Sequence, residues 1–135
     1  PASIGNLEKL EILNVDNNAI TQLPDSIGSL SNLIKFYAEE NHLRSLPESI
    51  SGWKKVEIIS LESNELEKIP LGICDLDNLK ELFLQENDLG SLPESITRLK
   101  NLKHLNLWKN EQLHHSEHLR EWILDLEKKG CTITL

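Results

Sequence analysis

Methionine is absent from this chain, and only six of its 135 residues are aromatic. With so few large rings and a hydrophobic share of 39%, a thick spherical core is poorly supplied, and a thin extended one suits the composition better. Glycine is sparse as well, six residues with no cluster, so no loop is built to cradle an anion. The two cysteines, Cys74 and Cys131, lie far apart and form no paired framework, so both are expected to be free thiols. No Asn-x-Ser/Thr acceptor, no apolar run of membrane-spanning length and no signal-peptide pattern occurs. These absences lead to the expectation of a cytoplasmic setting without membrane attachment, although an upstream targeting segment stays open because the chain starts at Pro1. Basic residues are in the minority, 14 against 22 acids for a formal charge of −8. That balance argues against binding the phosphate backbone of nucleic acid and favours a partner of basic or mixed charge. Catalytic signatures are missing too: there is no G-x-S-x-G, H-E-x-x-H or C-x-x-C. The expectation is a chain that is not an enzyme and takes no cofactor.

What the chain does have is a repeat. Leu79-Lys80-Glu81-Leu82-Phe83-Leu84-Gln85-Glu86-Asn87-Asp88-Leu89 reads L-x-x-L-x-L-x-x-N-x-L. The same pattern begins at Leu10, Leu33, Val56 and Leu102, and its asparagines fall at 18, 41, 64, 87 and 110, a constant step of 23 residues. A fixed period in the twenties marks a solenoid. In the first half of each repeat the alternating apolar positions predict a short strand with one buried face, Leu82 and Leu84 inward and Phe83 outward. Successive strands must pair in parallel, because each returns to the same edge after one turn. The asparagine sits where the chain bends away, and its buried amide is expected to bond backbone groups of its own and adjacent turns. The second half reads L-P-x-S-I-x-x-L, as in Leu46-Pro47-Glu48-Ser49-Ile50. Proline ends pairing there and predicts a helical turn or 3₁₀ segment on the convex side. Trp53 occupies a leucine position of that half and is expected in the core.

The combined 23-residue form resembles the typical intracellular class of leucine-rich repeats. Such repeats occur in Scribble-type and Ras-pathway scaffold proteins, in plant Ras-group repeats and in many bacterial or archaeal repeat proteins. The resemblance covers nearly the whole chain, from Pro1 to Asn110. It implies an α/β solenoid with a parallel concave sheet, short helical or 3₁₀ convex segments, and protein binding on the concave face.

Both ends depart from the pattern. Pro1-Ala2-Ser3-Ile4 matches the middle of an L-P-x-S-I segment with nothing polar before it, so the chain is expected to be a fragment whose N-terminal edge is uncapped and open to self-association. At the other end Ser116 is a good N-cap, and Leu119, Trp122, Ile123 and Leu126 make an apolar stripe. Gly130 is the expected C′ residue. The tail then alternates, predicting a sixth parallel strand with Cys131, Ile133 and Leu135 facing the core. This ending resembles those of bacterial repeat proteins. Residues 1–113 are accordingly expected to form five repeats, the first truncated, and residues 114–135 a cap of helix and strand.

The outward strand positions are the candidate site. One column holds Asn14, Tyr37, Ser60, Phe83 and Asn106, and the next Asp16, Glu39, Glu62, Gln85 and Trp108, with Asn17, Glu40, Ser63, Glu86 and Lys109 beside it. On the other side stand Ile12, Lys35, Ile58, Glu81 and His104. Tyr37, Phe83 and Trp108 are expected to be exposed aromatics that anchor a partner, and the acids to select lysine or arginine on it. The nominated surface comprises Tyr37, Glu39, Ser60, Glu62, Glu81, Phe83, Gln85, His104, Asn106 and Trp108. His114, His115 and His118 have spacings that can bring imidazoles together, but no third helix-borne ligand stands near, and the segment is expected to be a solvated linker rather than a metal site. The expected function is therefore a protein-interaction module; the alternatives are a non-catalytic targeting domain of an upstream enzyme and an architectural, self-associating segment.

Overall fold

The computed structural model describes all 135 residues. Six three-residue strands, β1 (Ile12–Asn14), β2 (Lys35–Tyr37), β3 (Ile58–Ser60), β4 (Glu81–Phe83), β5 (His104–Asn106) and β6 (Thr132–Thr134), form one parallel sheet in sequence order. The pairing never slips: Leu13 lies beside Phe36, then Ile59, Leu82, Leu105 and Ile133. Ladder bonds run on past the strands, as where Leu61 N–H donates to the Phe83 carbonyl and Ser63 N–H to that of Gln85. They stop at the bend, where the residue before each asparagine turns left-handed: Asn17, Glu40, Ser63, Glu86 and Lys109 all have φ between 51° and 56°.

There the asparagines take over. Asn64 Oδ1 accepts from Leu43 N–H at 3.0 Å, and its Nδ2 donates to the carbonyls of Ala38, at 2.8 Å, and Leu61, at 3.2 Å. Asn41, Asn87 and Asn110 are buried and bonded in the same way. Asn18 differs: it is exposed and bonds only to Val15 and Asp16 of its own turn.

On the convex side a 3₁₀ segment follows each proline, at Ala2–Asn6, Asp25–Ser29, Glu48–Gly52, Leu71–Asp75 and Glu94–Arg98, and Pro24, Pro47, Pro70 and Pro93 are extended. These segments stack closely. The Ser49 hydroxyl donates to the Asp25 carbonyl at 2.7 Å, and a Cβ built on Gly28 would stand 2.2 Å from the Ser49 carbonyl oxygen. Trp53 is fully buried, packs on Phe36 with ring centroids 4.9 Å apart, and donates its indole N–H to the Ile27 carbonyl at 2.8 Å. A second row of asparagines, Asn32, Asn78 and Asn101, ties three of the turns to a carbonyl 24 residues earlier. One continuous core runs from Leu23 to Cys131.

At the C-terminal end, helix α1 (Glu117–Lys128) starts on Ser116, whose hydroxyl accepts from Leu119 N–H at 3.1 Å. It buries Leu119, Trp122, Ile123 and Leu126, and Gly130 follows at φ 89°. Trp122 donates to the Leu99 carbonyl at 3.2 Å. No helix is long and apolar enough to cross a membrane. One expectation for the tail fails. Cys131 is buried and Ile133 half-buried, but Leu135 is 53% exposed. The register carries it beside Leu107, on the outer edge of the sheet formed by β6.

Candidate interaction surface on the concave sheet

The outward side chains of the six strands line up in rows because the register is constant. Tyr37 pairs with Ser60, Ser60 with Phe83, and Phe83 with Asn106; Lys35, Ile58, Glu81 and His104 form the parallel row. At about 4.8 Å between strands the sheet spans about 24 Å, enough for an extended peptide or a helix.

Of the three aromatics expected to be exposed, Trp108 is so, at 45%, whereas Tyr37 and Phe83 are half-buried. Ser60 and Gln85, nominated as contact residues, are buried at 2% and 9% exposure. Ser60 lies between two large rings in its row, and its hydroxyl donates to Glu39 Oε1. Gln85 donates from Nε2 to Glu62 Oε2 at 2.8 Å. Both face outward as predicted, yet their neighbours leave a partner little of them to touch. Glu39, Glu62, Glu81 and Asn106 are half-buried and His104 is exposed.

The acids are linked sideways rather than standing alone. Asp16 Oδ1 accepts from Glu39 N–H at 2.7 Å, and Glu81 lies 3.7 Å from His104 Nε2. Glu86 holds Lys109 at 3.2 Å, and the Lys109 ammonium sits 4.4 Å from the centre of the Trp108 ring. Across these rows six carboxylates, of Asp16, Glu39, Glu40, Glu62, Glu81 and Glu86, face two ammonium groups, of Lys35 and Lys109. The face is thus acidic, with its most exposed ring at the C-terminal end. On the flanking loops His42 Nδ1 and Arg44 Nε hold Glu65 at 3.0 and 3.2 Å, and His42 followed by Arg44 keeps its carboxyl below the ordinary glutamate range.

Inter-turn bonds by Asn32, Asn78 and Asn101 and the left-handed column were missed in the sequence. A 23-residue step from Asn78 to Asn101 was the available signal for the first. Nothing signalled the second, since of its five residues only Asn17 is a type that favours that conformation.

Family models described as leucine rich repeat match residues 54–111 and 9–30. A solved leucine-rich repeat protein of Leptospira interrogans is similar over 100% of the chain, with a TM-score of 0.88 and 34% identity. The chain belongs to the leucine-rich repeat family. An internalin from Listeria monocytogenes is similar over 99% of this leucine-rich repeat chain (TM-score 0.78, 25% identity), and a TDR receptor over 98% (TM-score 0.86, 28% identity). The chain spans 33%, 37% and 23% of the lengths of those three proteins. No curated protein matches it in sequence. Leucine-rich repeat chains are in general protein-interaction modules, typically scaffolds without catalysis.

Proposed function

We propose that this leucine-rich repeat chain holds a partner protein or peptide of basic or mixed charge on its concave sheet. Trp108 carries the reading: a large ring left 45% exposed on an acidic face, of the type that anchors interfaces. The carboxylates around it speed and orient the approach of a positively charged partner more than they add affinity. Both cysteines are free and buried, which supports a reducing, intracellular setting. Affinity capture from a lysate with wild type, Trp108→Ala and Glu62→Gln tests the reading. Retention of a protein by the wild type, with Trp108→Ala weaker by about 2 kcal/mol on the purified pair, is the expected result. Equal binding by all three removes the concave face.

A second reading, self-association, has one supporting feature. Beside the edge strand β1 an open apolar groove of about 430 Å³ is lined by residues including Ile4, Leu13, Val15, Ile20 and Ile27. Edges of this kind invite pairing with another chain. Light scattering at rising concentration decides it: a monomer mass throughout rejects self-association.

A further inference from the structure

One polar atom on the concave sheet is left over. Gln85 Oε1 is buried and has no hydrogen-bond partner, although the Nε2 of the same amide donates to Glu62 Oε2 at 2.8 Å. Rotating the amide by half a turn would set its oxygen against the Glu62 carboxylate, so that bond fixes the orphan as an acceptor. Buried acceptors are nearly always satisfied, and an exception calls for a donor, from water or from a bound partner. Glu62, on one side in the row, is acceptor-only when ionised. Trp108, on the other, already shows what its ring takes, for the Lys109 ammonium lies 4.4 Å from its centre.

An unmet acceptor, a carboxylate and a cation-accepting ring in one row fit a single side chain. It must be cationic, planar and rich in N–H donors, which describes arginine; a lysine ammonium has the charge but no plane to stack. We propose that Glu62, Gln85 and Trp108 form a subsite for an arginine of the partner. The guanidinium donates to the Glu62 carboxylate and stacks on the indole of Trp108, and the Gln85 side chain, closed off in the free chain, turns outward so that its Oε1 accepts from it. The Lys109 ammonium leaves the ring and stays with Glu86, 3.2 Å away. The inference rests on the concave-face reading and adds the residue that anchors the partner there.

The test is a titration of the isotope-labelled chain with N-acetyl-arginine methylamide, following the Trp108 indole N–H and the Gln85 side-chain amide by NMR. Millimolar binding at those two groups is expected for so small a probe, with the lysine analogue at least about tenfold weaker. Gln85→Leu and Glu62→Gln, each first shown to be folded by its melting curve, should each weaken arginine about tenfold. No binding, binding elsewhere, equal binding of the lysine analogue, or undiminished binding by Gln85→Leu overturns the subsite. If the subsite fails while Trp108→Ala still releases a captured partner, the concave face keeps its role; if Trp108→Ala releases nothing, the face itself is the error.

Discussion

Asn64 reaches back across 26 residues to donate its side-chain amide to the Ala38 carbonyl at 2.8 Å. The same side chain accepts from Leu43 N–H at 3.0 Å, so one buried residue satisfies two backbone groups of the preceding turn. Replacing it strands both. Asn64→Ala is expected to lower stability by about 1–3 kcal/mol. Asn18→Ala, which loses only exposed bonds within its own turn, should cost about 0.5 kcal/mol or less. Urea denaturation of the two variants checks the contrast, and equal losses would remove the inter-turn account.

Close stacking on the convex side gives a second contrast. A Cβ on Gly28 would lie 2.2 Å from the Ser49 carbonyl oxygen, and one on Gly90 meets nothing within 4 Å. Gly28→Ala must push two turns apart and is expected to cost about 2 kcal/mol or more. Gly90→Ala should leave stability unchanged or raise it by up to about 1 kcal/mol, by restricting the unfolded chain. Thermal melts of both variants provide the measurement.

Glu40 holds φ at 51°, a conformation that costs side-chain-bearing residues about 1–2 kcal/mol. Glycine at position 40 relieves that strain but adds entropy to the unfolded chain, so Glu40→Gly is expected to match or exceed wild-type stability by up to about 1 kcal/mol. Glu40→Val, branched at Cβ, should lose about 1 kcal/mol or more. A Val variant as stable as the Gly variant would show that the bend tolerates any residue.

Acid should expose the contribution of Glu65. Hydrogen bonds from His42 and then Arg44 hold its carboxyl below the ordinary value of 4.5. A depressed carboxylate contributes stability above its unfolded value, and that contribution fades as pH falls through the lower folded one. The stability gap between wild type and Glu65→Gln is therefore expected at pH 6 and should close on acidification below about 4.5. A gap that widens towards low pH would reverse the assignment. Salt should narrow it as well, since the trio is exposed to solvent.

Much of this is legible in the amino-acid sequence itself. A step of 23 residues between asparagines implies a turn of constant length, and turns of constant length pair in parallel without slipping. From that alone followed the inward leucines, the outward Phe83, the burial of Trp53, and the buried asparagines from Asn41 to Asn110. Ser116, the stripe from Leu119 to Leu126 and Gly130 announced the terminal helix through local chemistry, each within a few residues of the next.

Exposure was another matter. Direction is a property of position within a turn, whereas accessibility belongs to a residue together with the side chains 23 places before and after it. Ser60 points outward and is closed off between Tyr37 and Phe83; Leu135 occupies an inward position and is 53% exposed. The unmet Gln85 oxygen, the cation over Trp108 and the left-handed bends arise the same way, from which atoms fall together once the turns are stacked. Leucine and asparagine spacing dictated the stack, because periodic burial has only one way to close. The stacking itself then settled which of its outward groups a partner can reach.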